Sequence, residues 1–133
     1  MSVRTAQCRC GAVQAECRGE ALWVSVCHCL DCQRRSGSAF AAQARFPVEA
    51  VTITGETREW LRVAESGNRA AFRFCAACGS DIAYTVEVQP ELIAVPLGTF
   101  ADAGFMPVPA YSVYEGRKHR WVAVVGDEIE HID

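Results

Sequence analysis

The chain has 133 residues, of which half are hydrophobic and 22% are charged. This composition is typical of a globular protein and excludes a disordered or fibrous one, and the length fits one domain over residues 1–133. The 13 Lys and Arg residues against 16 Asp and Glu residues give a net charge of −3. No basic run is present, so we do not expect a nucleic-acid partner.

The N-terminal residues 1–11 contain no apolar stretch like that of a signal peptide, and no apolar run is long enough to span a bilayer. We therefore expect a cytoplasmic protein without membrane contact. Thiols are kept reduced in that compartment. The eight cysteines consequently indicate metal binding rather than a disulfide framework.

Taken in chain order, β-branched and aromatic segments separated by glycine and proline predict a mainly β, antiparallel protein. Such segments fill 13–27 and 40–63, with strands at 22–26 and 51–54. Later strands are predicted at 70–74, 82–88, 92–97, 111–114 and 121–125, with Pro90 and Pro96 among the prolines that break the intervals. Helical turns are predicted at 30–35 and 100–103, and the acidic residues after Gly126 are expected to form a solvated tail.

Seven of the eight cysteines fall into three tight clusters, with the sequences CRCG at 8–11, CHCLDC at 27–32 and CAACG at 75–79. A CxxC pair followed by a glycine, here Gly79, is typical of a zinc knuckle because the turn lets both thiolates face one ion. Structural zinc takes four ligands, so Cys75 and Cys78 need a second pair. Cys8 and Cys10 are predicted to supply it.

The central cluster of Cys27, Cys29 and Cys32 is one ligand short of a closed shell, which is typical of a catalytic zinc site. An alternative joins this cluster to one of the outer pairs, but that pairing leaves at least two cysteines unused. His28 is expected to point away from the ion because neighbours on an extended segment face opposite ways. Cys17 stands alone and is predicted to be a core residue.

The three motifs, read as CRCGAV at 8–13, CHCLDCQRRSGSAF at 27–40 and FCAACGS at 74–80, resemble the glutathione-dependent formaldehyde-activating enzyme family, which also includes centromere protein V. The resemblance runs to about residue 121. It implies a two-zinc β-tent fold in which the outer pairs bind a structural ion and the central cluster binds a second ion. It also implies a carbon–sulfur lyase-type reaction that forms or cleaves S-hydroxymethylglutathione from glutathione and formaldehyde. The chain departs from the family near Tyr111, where a histidine often follows the proline.

A zinc ion with three thiolate ligands is soft, so it is expected to take a substrate thiol and lower the pKa of that thiol. Arg34 and Arg35 follow the central cluster, and one of them could pair with a carboxylate of a peptide-like thiol. Ser38 could offer a hydroxyl from the next turn. The alternative for both arginines is a solvated surface position.

The remaining aromatic and histidine side chains carry weaker predictions. A core position is favoured over a pocket lining for Phe40, Phe72, Phe74 and Trp121. His119 and His131 have no clustered partners and are expected to face solvent.

Three functions follow from the cysteine pattern. The first is an enzyme or carrier acting on a thiol–aldehyde adduct, and the second is a non-catalytic zinc module that binds a protein partner. A redox protein related to the methionine sulfoxide reductases is the third, and the three-cysteine centre argues against it.

Overall fold

The computed structural model describes residues 2–101 and 104–133. The described residues form one α-helix, α1 at Leu30–Ser36, and short 3-10 turns at Val48–Ala50, Leu97–Thr99 and Glu115–Arg117. Their strands are β1 Val3–Gln7, β2 Gln14–Arg18, β3 Trp23–Cys27, β4 Ala41–Pro47, β5 Val51–Thr54, β6 Thr57–Val63, β7 Arg69–Cys75, β8 Asp81–Val86, β9 Gln89–Pro96, β10 Tyr111–Val113 and β11 Glu130–His131.

The strands form two sheets. The smaller sheet has the order β1-β2-β5, and the larger has the order β11-β10-β3-β4-β9-β8-β7-β6. Neighbouring strands are antiparallel except β10, which is parallel to both β3 and β11. The predicted mainly β, antiparallel fold is therefore confirmed, with the two parallel pairings as a local departure.

The hydrophobic core joins the small sheet to one face of the large sheet. Alternation along β2 turns Ala15 and Cys17 inward, and both are fully buried. Across from them the large sheet contributes Phe46, Ile82 and Val95 to the same cluster. Cys17 is thus a core residue, as predicted.

The opposite face of the large sheet, here called the open face, carries polar and aromatic side chains. Because successive side chains of a strand alternate between faces, Arg45 points away from the core that receives Phe46. The strand register places one row of residues side by side across six strands: Trp60, Phe72, Tyr84, Ala94, Arg45 and Trp23. We call this set the open-face row, and α1 packs over part of it through Arg35.

Several predicted elements match the structure, among them the strand at 51–54 and the helical turn at 30–35. The predicted strand at 121–125 is wrong because that stretch pairs with no strand among the described residues, and Trp121 is largely exposed. The sheet edge beside β10 is occupied instead by β11, which comes from the tail predicted to be solvated. Pro90 lies inside β9, close to the tight β8–β9 hairpin, rather than breaking an interval.

The predicted helical turn at 100–103 is displaced. The 3-10 turn covers Leu97–Thr99, and Phe100 follows it in the right-handed helical conformation. Asp102 and Ala103 lie outside the described residues. Within the described ranges, no helix has the length and apolar character needed to cross a membrane.

Candidate metal centres and their surroundings

The outer cysteine pairs meet in one cluster. Cys8 and Cys10 lie in the turn after β1, Cys75 ends β7, and Cys78 lies in the turn before β8. Their four sulfur atoms all lie within 4.8 Å of one another. The Sγ–Sγ distances are 3.6 Å between Cys8 and Cys10 and 3.7 Å between Cys10 and Cys75. These distances are too long for disulfides, and they match the edge of about 3.8 Å in a tetrahedron of sulfurs around zinc.

Backbone N–H groups donate hydrogen bonds to two of the four sulfurs of this cluster. The Val13 N–H donates to Cys8 Sγ over 3.2 Å, and the N–H groups of Ala77 and Cys78 donate to Cys75 Sγ over 3.3 and 3.4 Å. Hydrogen bonds from Ser80 lower the pKa of Cys78 to about 5, which favours its thiolate. Gly79 adopts a φ of +80°, the left-handed conformation that the knuckle turn requires.

The central cluster lies at the junction between β3 and α1. Cys27 ends the strand, Cys29 caps the helix and accepts a hydrogen bond from the Cys32 N–H over 3.3 Å, and Cys32 lies in the first turn. The three sulfurs lie within 4.8 Å of one another. Across the described ranges, no further Cys, His, Asp or Glu residue joins the group. This cluster could therefore hold a metal ion with three protein ligands.

Arg35 connects the central cluster to the open face. Its Nη2 atom lies 3.7 Å from Cys32 Sγ, and its Nη1 atom lies 3.3 Å from Asp81 Oδ2. The guanidinium also lies 5.0 Å from the centroid of the Tyr84 ring. The pKa of Cys32 falls to about 6, first because the Cys27 thiol donates a hydrogen bond to its sulfur and further because of the Arg35 charge.

His28 is fully buried and points away from the sulfurs, as the extended segment predicted. Its Nε2 atom lies 2.9 Å from Ser112 Oγ on β10. Ser112 also hydrogen-bonds to the Glu115 carboxylate. Since a carboxylate only accepts, the Ser112 hydroxyl donates to Glu115 and accepts from the Nε2–H of His28. The histidine between two cluster cysteines is thereby fixed to the parallel strand β10.

The comparisons with known proteins fit this arrangement. A model of the family described as "Glutathione-dependent formaldehyde-activating enzyme" matches residues 3–117. The chain belongs to this family. A crystal structure of a Rhodobacter sphaeroides protein is similar with a TM-score of 0.59 and 23% sequence identity, over 77% of this chain and 91% of that chain. That likeness supports the fold alone, and no curated protein matches the chain.

In this member of the glutathione-dependent formaldehyde-activating enzyme family, the two arginines predicted near the substrate differ in position. Arg34 is exposed and, with Asp31 and Trp60, borders a pocket of about 320 Å³. Arg35 borders both this pocket and a neighbouring cleft of about 490 Å³ that reaches Cys78.

The predicted hydroxyl contact of Ser38 stays a prediction. Ser38 is exposed just beyond the helix, and its N–H donates to Ser36 Oγ. Ser36, two residues earlier, borders the larger cleft.

The aromatic residues favoured for the core lie elsewhere. Phe40 borders the larger cleft, and Phe72 and Phe74 border the smaller pocket. Trp121 is 75% exposed and stacks edge-on against His119 at a centroid distance of 5.7 Å. The core prediction is wrong for Phe72 and Phe74 because the core uses the other face of the large sheet, and it is wrong for Phe40 and Trp121 because both lie outside the strands.

The two surface histidines have partners that the sequence did not indicate. His119 Nε2 lies 2.9 Å from Gln33 Oε1, next to the helix that follows the central cluster. His131 Nδ1 lies 2.7 Å from a carboxylate oxygen of Glu115. The first contact joins the C-terminal segment to the site region, and the second lies within that segment.

Sequence reasoning missed Asp81, Tyr84 and Arg45. Asp81 and Tyr84 lie on β8 and Arg45 lies on β4, so Arg45 meets Tyr84 only through the register of the large sheet. Asp81 carried one local signal, since it lies three residues after the knuckle cysteine Cys78.

Proposed function

We propose that the chain binds two zinc ions and forms or cleaves S-hydroxymethylglutathione or a related thiol–aldehyde adduct, as a carbon–sulfur lyase-type enzyme. The four outer cysteines would hold a structural ion. The ion at Cys27, Cys29 and Cys32 would be functional. The observation that carries the proposal is the central group of three sulfurs, which lacks a fourth protein ligand in the described ranges and lies beside the Arg35 guanidinium.

Zinc held by three thiolates would lower the pKa of a substrate thiol at that site. The protein's own contribution begins with Arg35, whose charge offsets the negative charge of the sulfurs and favours an anionic thiol next to Cys32. In the forward reaction, the thiol sulfur bonds to the aldehyde carbon as the carbonyl π bond breaks. The proton that the thiol loses ends on the carbonyl oxygen, so the reaction needs no oxidant or reductant. In the reverse reaction the same bonds change in the opposite order.

Arg34 and Ser38 keep their proposed roles as substrate-binding residues around this centre. Arg34 borders the pocket of about 320 Å³, where its exposed guanidinium can meet a carboxylate of the thiol. The thiol chemistry requires reduced cysteines, and all eight are free, which suits a cytoplasmic location.

Metal analysis tests the two-ion part of the proposal. Protein purified without chelator should contain about two zinc ions per chain, because the seven clustered cysteines form one closed and one open ligand set. A mild chelator should remove the ion of the open set first. A zinc content of one or less in carefully handled protein would rule out the second ion.

The reaction itself can be followed by NMR exchange between glutathione and its formaldehyde adduct. The zinc-loaded protein should speed this exchange above the uncatalysed rate, and Cys29→Ser protein should not. Binding of glutathione without acceleration would point to a thiol carrier instead. Absence of binding with both metals present would leave the non-catalytic zinc module as the better function.

A further inference from the structure

Arg45 on the open face is a half-buried cation without an acidic partner. Its Nη1 atom donates to Ser25 Oγ over 2.6 Å, and its Nη2 atom donates to the Tyr84 hydroxyl over 3.4 Å. Its guanidinium lies 5.9 Å from the ring centroid of Trp23. Throughout the part of the chain that the structure describes, no carboxylate forms an ion pair with it. Arg35, by contrast, is paired with Asp81.

An anion that reaches this guanidinium would form the ion pair that the described residues do not supply. Neutral hydroxyls and an aromatic ring replace only part of the hydration that a half-buried cation loses. The two hydroxyl contacts use two of the five N–H donors of the guanidinium, which leaves the others for a ligand. A carboxylate is one of the anions that this fork binds in two-point geometry, and it is the one that a peptide thiol carries.

The distance between Arg45 and the central cluster sets the length of a ligand that contacts both. Ser25, which the guanidinium contacts, lies two residues before Cys27 on β3 and on the same face of the sheet. Two residues along a strand cover about 7 Å. An extended peptide of two residues spans the same length, whereas a simple thiol such as mercaptoethanol does not.

The open-face row supplies walls for such a peptide. Trp23 packs edge-on against Tyr111 with a centroid distance of 6.4 Å on one side of Arg45. On the other side Tyr84 stacks on Phe72 at 5.0 Å. These four aromatic residues are all partly exposed, whereas Ser25 and Gln43 between them are buried, so a ligand would contact the ring edges and the guanidinium from outside the sheet.

We propose that Arg45 binds the terminal carboxylate of a short cysteinyl peptide, of which glutathione is one, while the peptide sulfur lies at Cys27, Cys29 and Cys32. This inference rests on the proposed function and narrows its substrate to carboxylated peptide thiols. Arg45 acts as a specificity-determining residue, since it contacts the substrate far from the reacting atoms. Small neutral thiols should therefore be poor substrates even where they reach the sulfurs.

Calorimetry on the zinc-loaded protein tests this site with S-methylglutathione, which keeps the carboxylates but has no thiol. Wild-type protein should bind it, and either Arg45→Gln or ethyl esterification of the glycyl carboxylate should weaken binding about 10- to 100-fold, the value of a charged hydrogen bond. Combining the variant with the ester should weaken binding no further. Arg45→Lys should restore part of the affinity, because it returns the charge without the two-point geometry.

Arg73→Gln is the matched control. Arg73 is likewise half-buried and donates to a hydroxyl, Thr57 Oγ1, over 3.3 Å, but it lies on the other face from Phe72. This variant should bind S-methylglutathione as the wild type does. Thermal melts of all variants show whether they are folded, and the comparison of acid with ester on wild-type protein needs no variant.

The results separate this inference from the proposed function. If S-methylglutathione binds in an Arg45-dependent way but the glutathione reaction is not accelerated, the proposed activity is wrong and the carboxylate site at Arg45 stands. In an active enzyme, Arg45→Gln should raise KM for glutathione and leave kcat nearly unchanged. Equal affinity of wild-type protein for acid and ester, or no binding of S-methylglutathione at all, would overturn the role of Arg45.

Discussion

Ser112→Ala should show how strongly β10 fixes the central cluster. In the native structure the Ser112 hydroxyl accepts from the fully buried His28 and donates to Glu115. The Nδ1 atom of His28 has no partner in the described residues, so the variant leaves both ring nitrogens buried and unpaired. An orphaned buried polar group costs about 1–3 kcal/mol, and the lost hydrogen bond to Glu115 adds about 0.5–1 kcal/mol. We expect a total loss of about 1.5–4 kcal/mol of unfolding free energy.

Urea unfolding followed by tryptophan fluorescence, at a fixed excess of zinc, measures this loss. His28→Phe keeps a ring of similar shape without nitrogens, so the double variant His28→Phe/Ser112→Ala leaves no unpaired ring nitrogen. Its loss should be smaller than the sum of the two single losses by about 1–2 kcal/mol. Ser66→Ala, at an exposed turn, is the control. Strict additivity, or a Ser112→Ala effect below about 0.5 kcal/mol, would refute this account of the buried hydrogen bonds.

Further predictions concern the outer cluster, a glycine and the C-terminal strand. Cys75→Ser should unfold or aggregate the protein by circular dichroism and gel filtration, whereas Cys29→Ser should stay folded; the reverse order would contradict the division into structural and functional sites. Gly55→Ala should lower the free energy of unfolding in urea by about 2–4 kcal/mol, because φ at this residue is +102° and a Cβ would overlap a carbonyl oxygen of the β1–β2 turn. Gly116→Ala, where a Cβ would meet open space, should be nearly neutral. Glu115, whose pKa falls to about 2 chiefly through a hydrogen bond from the histidine of β11, stabilises the fold above about pH 4.5, and this contribution is lost as the pH falls towards 2. Glu115→Gln should remove this stabilising contribution at neutral pH, and amide hydrogen exchange in β11 should become faster. Unchanged exchange would show that Glu115 does not stabilise the position of β11.

The sequence predicted the cysteine clusters because their rules are local. Spacing of one or two residues brings two sulfurs to one side of a turn, and the four-ligand rule for zinc then limits how the clusters combine. The structure brings the predicted groups together, including the distant pairs Cys8–Cys10 and Cys75–Cys78. The prediction of helix α1 rested on an equally local signal, since the helix begins at the cap that Cys29 of the central cluster provides.

The open face could not be predicted in the same way. Arg45 meets Tyr84 only because β9 lies between β4 and β8 in a particular register, and no short sequence pattern encodes that order. The apolar residues at 121–125 have the composition of a strand, yet the place beside β10 is taken by Glu130 and His131. Which segment pairs with a sheet edge depends on the whole fold, so strand propensity alone predicted the wrong structure for both segments.

The unequal effects expected for the two clusters follow from what each one joins. The central cluster lies within one short segment, whereas Cys10 and Cys75 of the outer cluster are 65 residues apart. In the chain-entropy model, a cross-link over such a loop lowers the conformational entropy of the unfolded chain and so stabilises the folded state by about 4 kcal/mol. This is a large part of the stability of a small domain. The same β7–β8 turn continues from Cys78 to Asp81, which pairs with Arg35 beside Cys32. Loss of the outer cluster should therefore also release the cation next to the central sulfurs, whereas loss of the central cluster leaves the outer one intact.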